Sequence, residues 1–307
     1  MTYSWPLFWR FYALAILVTV VVMAAVALGG HAAVLTEFWV YLEREQTYPN
    51  VFSIAHFGLS ENPAAFLILL FAAAPTLAAL FFAARAGSAS LANLMARMRP
   101  VGPEYTRAPV KRVYALLFLS YALILAVYLA VTGAHGGTEA LSLTLDKLGN
   151  SWPLILALCA IAPFMDEGGL LEELGWRGFA WPALQALLSS PLKAALLLGT
   201  LWWAWHLPRD LPGLLAGADP GTFLLQQSLF LLLCLAESII CGYLVNLCGG
   251  SVLPAILVHG GSNVWSKAAS TEMYALTGID VRTAILVVAA LAILALCGRA
   301  LGRQTPP

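Results

Sequence analysis

Long apolar runs recur along the whole chain, at Phe11–Leu28, Pro63–Ala84, Val113–Thr132, Trp152–Leu171, Pro191–Trp205, Phe223–Leu247, Val252–Trp265 and Ala284–Cys297. A helix needs about 20 apolar residues to cross the hydrocarbon of a bilayer, where each backbone polar group must find its partner inside the segment. The runs therefore predict an all-α protein, a polytopic transmembrane helical bundle of about eight spans. Composition points the same way: 61% of the 307 residues are hydrophobic and 10% are charged, against roughly a quarter charged in ordinary soluble domains. Lys plus Arg balance Asp plus Glu at 16 each, so the clustered basic excess of a nucleic-acid binder is absent. Membrane lipid is the expected surround.

The run from Phe11 follows Arg10 and resembles a signal peptide, but at 18 residues it exceeds the usual h-region of about 7 to 15 and reads as an uncleaved membrane helix. Between the second and third runs lie Arg85, Arg97, Arg99, Arg107, Lys111 and Arg112 against Glu104, whereas Glu37, Glu43, Glu45 and Glu61 dominate the preceding connection. By the excess of Lys and Arg on cytoplasmic loops, the basic connection lies inside. Eight spans then place both termini in the cytoplasm of a multi-pass protein, most simply in a bacterial cytoplasmic membrane. Within the basic connection, Leu91, Leu94, Met95 and Met98 share one helical face, which fits either an interfacial helix over Ser88–Arg99 or a plain connector. The cysteines form no C-x-x-C pair, and Cys234, Cys241 and Cys248 recur on one helical stripe that suits packing. No internal repeat is visible. Residues 1–307 read as a single membrane domain with a core at 152–266.

Three short segments carry ionisable groups into apolar surroundings, where a charge costs at least about 2.5 to 3.5 kcal/mol and is a functional candidate by default. In Glu172-Glu173-Leu174-Gly175-Trp176-Arg177, Arg177 shares a face with Glu173, four residues back, and can pair with it. Glu172, about 100° round the helix, is left to act as a base. In Trp202-Trp203-Ala204-Trp205-His206 an apolar run ends in aromatics and one imidazole, which can orient water, move a proton or bind a metal; for it to work beside Glu172, the two helices must extend past their apolar runs, to about Arg177 and Asp210. In His259-Gly260-Gly261-Ser262-Asn263 an imidazole and an amide one turn apart project to the same side and could stabilise an oxyanion.

Each segment also has a structural reading: a salt-bridged helix end, an interfacial aromatic belt, and a small-residue contact between helices. Together they supply carboxylate, two imidazoles and amide from three helices, an inventory suited to hydrolysis. Glu172, His206 and His259 could equally be ligands of a divalent metal such as zinc. Spacing leaves metal and metal-free chemistry open, although the H-E-x-x-H helix of common metallopeptidases is absent. Glu237, inside the sixth run, is a partner for Arg177 or a cavity-lining group. Asp166 and Glu167 belong to a cavity mouth or to a solvated connection.

The ordered set Glu172-Glu173-x-x-x-Arg177, Trp202-x-x-x-His206 and His259-x-x-x-Asn263 resembles the CAAX protease and bacteriocin-processing family over Trp152 to Trp265. The strings EELGWRG and WHLP, with AAAPTLAAL and ESIICGYLVNLCGGSVLPAILVH, extend the likeness. Trp202 stands where the family often has Phe. The resemblance implies an intramembrane endopeptidase in which Glu172 and His206 activate water while His259 and Asn263 hold the oxyanion, with Glu173, Arg177 and Trp202 in support. It implies a peptide or protein substrate, with or without a lipid, and leaves metal dependence open. Two other functions use the same residues: a non-catalytic bacteriocin-immunity or peptide-binding membrane protein, and a proton-coupled transporter, although no paired broken-helix repeats are seen.

Overall fold

The computed structural model describes residues 2–45, 47–104, 106–134, 160–264 and 281–303, all helix and connection with no strand among them. In chain order the helices are α1 (Trp5–Leu28), α2 (Val34–Glu45), α3 (Val51–Ser60), α4 (Phe66–Arg85), α5 (Ser88–Ala96), α6 (Val110–Ala134), α7 (Glu167–Gly175), α8 (Trp181–Leu188), α9 (Pro191–Leu215), α10 (Pro220–Leu247), α11 (residues 253–264) and α12 (Val281–Cys297). Several begin with a short polar side chain followed within two residues by proline. Ser4, Ser190 and Asp219 accept from the backbone N–H three residues on, at 3.4, 3.4 and 2.7 Å. The proline behind each has no N–H to leave unsatisfied in the first turn.

Among the described residues, Trp5–Leu28, Pro63–Arg85, Pro220–Leu247 and Arg282–Ala300 are long and apolar enough to cross a membrane, and each overlaps an expected span. Helix α6 covers a fifth. The other three differ from their apolar runs. The run Pro191–Trp205 ends where polar residues begin, yet α9 continues through Pro208, Arg209 and Asp210 to Leu215, so His206 lies well inside a helix. The run Val252–Trp265 is helical from 253 to 264, and Trp265 lies outside the described residues. Of Trp152–Leu171, residues 152–159 and with them Cys159 lie outside. The described remainder is not continuous helix: it breaks at Asp166, whose Oδ2 accepts from Gly169 N at 2.8 Å and starts α7.

Helix α7 crosses α4 at its small residues. Ala72, Ala74, Ala78 and Ala79 are buried, and a Cβ on Gly175 would run into the backbone of Pro75. Helix α1 packs on α4, α9 on α10 and α10 on α12, placing the polar segments in the middle of one core. Leu17, Val21, Leu116, Leu119, Leu224 and Val288 face outward, as a lipid-bathed surface requires. Cys234, Cys241 and Cys248 are buried without a disulfide, in keeping with packing.

The acidic connection after α1 is more than a loop. Helices α2 and α3 bury Phe38, Tyr41, Ile54 and Phe57 in a small core of their own. The segment read as an interfacial helix or a plain connector over Ser88–Arg99 is helical as α5 over Ser88–Ala96, with one departure from the expected face: Leu94 is buried but Met95 is 48% exposed. The basic connection then docks on the α10–α11 turn. Gly102 N donates to Cys248 O (2.9 Å), Val252 N to Arg97 O (2.8 Å) and Ser251 Oγ to Arg99 O (2.6 Å). Arg97 is itself buried, paired with Glu104 at 2.7 Å.

Candidate active site

The local fold of the carboxylate segment is set by proline. Pro182, in the first turn of α8, lacks the N–H that an uninterrupted α-helix would direct at residue 178, and its ring would crowd that carbonyl. The backbone widens into a π-helical turn over Trp176–Ala180, where Trp181 N–H reaches back to Trp176 O. Such turns relieve this conflict within a helix and recur at functional sites. The turn carries Trp176 and Arg177, both completely buried, back toward the two carboxylates.

Glu172 and Glu173 have separate surroundings. Glu172 Oε2 accepts from two indoles, Trp202 Nε1 at 2.8 Å and Trp176 Nε1 at 3.3 Å. Glu173 Oε1 accepts from Arg177 Nη1 at 2.9 Å and lies 2.9 Å from His259 Nδ1. The expected Glu173–Arg177 pair is therefore present, with side chains fully buried. Arg177 also donates from Nη2 to Ser238 Oγ at 3.1 Å and lies 4.6 Å from the Trp202 ring centroid. A carboxylate ion only accepts, so the hydrogen in the Glu173–His259 contact belongs to Nδ1. Nε2 of His259 then faces Gly168, nearer the start of the same helix α7.

His206 makes the complementary choice. Its Nδ1 lies 2.9 Å from the Trp202 carbonyl, which can only accept, so Nε2 of the neutral ring is the acceptor. The ring is walled by Trp205 and Phe230, with centroids at 4.6 and 4.9 Å. Trp202 joins the three segments: its N–H is on Glu172, its carbonyl holds His206, and its ring meets His259 edge to face at 4.9 Å. A phenylalanine here would fill the space without the N–H. The tryptophan is thus more than an aromatic replacement.

His259 and Asn263 converge over α7. A Cβ on Gly168 would stand 3.0 Å from His259 Nε2 and 2.9 Å from Asn263 Nδ2, so the glycine leaves a niche faced by two nitrogens. Asn263 Nδ2 also donates to Asp166 Oδ2 at 2.9 Å. Asp166 is completely buried and serves as helix cap and amide partner, not as a solvated connection. Glu237 is buried too, but its ion-pair partner is Arg282 at 4.0 Å and not Arg177. Sequence reading missed Gly168, Trp176 and Arg282. Only Trp176, four residues after Glu172, left a spacing signal.

The alternative ligand set Glu172, His206 and His259 is not gathered as a metal site, and among the described residues no group of three or more His, Cys, Asp or Glu is so placed. Two of its donor atoms are already engaged, Glu172 Oε2 by indoles and His259 Nδ1 by Glu173. The residues do not fit a tetrahedral zinc centre, which requires its ligands to converge on one point.

Fold and site define a polytopic helical membrane protein with a carboxylate, two imidazoles and an amide brought together in its interior. Residues 148–265 match the family described as Type II CAAX prenyl endopeptidase Rce1-like. Over 56 residues the chain is 41% identical to CAAX prenyl protease 2 of Methanococcus maripaludis, a stretch that is 18% of this chain and 18% of that protein. Over this stretch the chain is similar to the CAAX protease family that its three motifs resemble.

Proposed function

We propose that this chain is an intramembrane endopeptidase that cleaves a peptide bond near the C-terminus or within a membrane-embedded part of its substrate. One observation carries the reading: Trp202 ties Glu172, His206 and His259 into a single cluster. Water bound between Glu172 and His206 Nε2 gives a proton to Glu172 as its oxygen attacks the carbonyl carbon. Charge then develops on the carbonyl oxygen, which sits in the Gly168 niche and receives hydrogen bonds from Asn263 Nδ2 and from Nε2 of His259 as the imidazolium, whose Nδ1–H stays on Glu173. Collapse of the tetrahedral intermediate breaks the C–N bond, and the proton held by Glu172 passes to the leaving amine. Glu173 acts by turning His259 so that Nε2 faces the niche. No step is assigned to a metal.

An apolar groove of about 230 Å³ beside Ser262 and Arg282, lined by Leu117, Phe118, Tyr121 and Leu286 among others, supports a substrate that carries a lipid chain. The loop charges support termini on the cytoplasmic face of the membrane.

The test is cleavage of prenylated and unprenylated C-terminal peptides by the purified full chain. Glu172→Gln is expected to abolish turnover without altering thermal unfolding in detergent, and unchanged turnover would remove Glu172 from the mechanism. Exhaustive chelation is expected to leave the wild-type rate within about twofold, because the donors do not converge; loss of activity restored by zinc would overturn the metal-free reading.

A further inference from the structure

A carboxamide has two ends of nearly equal shape and opposite function, an acceptor oxygen and a donor nitrogen. Only one orientation of Asn263 can offer hydrogen to a developing oxyanion, and rotation by half a turn would present a repelling oxygen instead. Something must set that choice. Asp166 contributes from α7, since its Oδ2 takes a hydrogen from Asn263 Nδ2 at 2.9 Å. The stronger constraint comes from outside the family-matched stretch. Arg282, at the start of α12, donates from Nη2 to Asn263 Oδ1 at 3.0 Å. A guanidinium has five donors and no acceptor, so it can hold only the oxygen end of the amide.

Arg282 is anchored in turn. Its Nε donates to Ser262 Oγ at 2.7 Å, and its Nη2 lies 4.0 Å from Glu237 Oε1. Among the described residues neither carboxylate oxygen of Glu237 has a hydrogen-bond partner, although the side chain is fully buried on α10. A buried anion is costly without a nearby cation. Glu237 and Arg282 therefore account for each other.

We propose that Arg282 is a positioning residue, which holds the Asn263 carbonyl oxygen outward so that its amide nitrogen faces the Gly168 niche, with Glu237 as the buried counter-charge that keeps the guanidinium in place. The proposal deepens the peptidase reading and rests on it. Lysine at position 282 would keep the charge facing Glu237 but lose the planar fork that holds Ser262 and Asn263 together.

The experiment compares kcat and KM on a C-terminal peptide for wild type, Arg282→Lys, Asn263→Ala and the double variant, as the full chain in detergent and under single-turnover conditions. Arg282→Lys is expected to lower kcat by about tenfold to a hundredfold, below the full loss of an oxyanion donor, with KM within about twofold. In the Asn263→Ala background the same change is expected to do nothing further, because its effect passes through the amide. An equal fold loss in both backgrounds, or an unchanged kcat in Arg282→Lys, overturns the proposal. Should Asn263→Ala leave no measurable turnover, a kcat loss in Arg282→Lys with unchanged KM and unchanged unfolding temperature supports it. If Arg282→Lys fails to fold, Glu237→Gln with Arg282→Gln removes both buried charges and is held to the same outcomes. Full activity in Glu172→Gln would defeat the peptidase reading itself, whereas a dead Glu172→Gln beside an unaffected Arg282→Lys defeats this inference alone.

Discussion

Trp202 and Gly168 shape the site by opposite means, one by what its side chain reaches and the other by having none. The Trp202 N–H is one of two donors on Glu172, and a hydrogen bond to a charged group contributes about 1.5–3 kcal/mol. Trp202→Phe is therefore expected to lower kcat/KM by about tenfold or more while the fold persists, as measured by peptide cleavage beside thermal unfolding. Gly168→Ala places a methyl 2.9 Å from Asn263 Nδ2 and 3.0 Å from His259 Nε2. It should remove at least about a hundredfold in kcat, comparable to losing an oxyanion donor, with little change in stability. Arg177 is of another kind. It holds the buried Glu173 and lies over Trp202, and removing one partner of a buried ion pair costs about 3–5 kcal/mol. Arg177→Met should appear first as a lower unfolding temperature. The motif spacings made the Glu173–Arg177 pair and the shared face of His259 and Asn263 legible, since both are one-turn relations on a single helix. They could not show Gly168, whose part is defined by the space between α7 and α11.

Elements built on long apolar runs were legible in the sequence, because length and hydropathy alone define them. Those that depend on breaks were not. Asp166 divides what reads as a continuous apolar run, and Pro182 forces the π-helical turn that folds Trp176 back on Glu172. Helix α9 is an exception: cooperation between Glu172 and His206 already required it to run to about Asp210, and it continues to Leu215, with Asp210 accepting from Gln227 of α10 at 3.0 Å. Helices α2 and α3 escaped a search for membrane-length runs, at 12 and 10 residues. Contact between α7 and α11 is equally specific. A Cβ on Gly169 would come within 2.7 Å of Gly260 N, and one on Gly260 would strike the Pro163 carbonyl. Gly260→Ala should therefore push these helices apart and lower stability by about 1–3 kcal/mol, as overpacking does, with activity lost in proportion to unfolded protein. A stable but inactive Gly260→Ala would show instead that this glycine serves the chemistry directly.

The whole molecule converges on the site from both ends of the chain. Phe11 of α1 stacks on Phe179 at 4.8 Å and meets Trp176 edge to face at 5.9 Å, while Tyr12 donates to the Leu201 carbonyl at 2.9 Å. Gly175 N donates to Thr76 Oγ1 of α4 at 3.1 Å, and Arg282 arrives from α12. None of these outer partners lies within the matched residues 148–265. That stretch is consequently no transplantable cassette: excised, it would bare the aromatic flank of the π-helical turn and release the carbonyl end of its terminal amide from the guanidinium that holds it. A polypeptide limited to 148–265 is expected to be digested by trypsin in detergent under conditions that spare the intact chain, and co-expression with the severed flanks should restore its resistance.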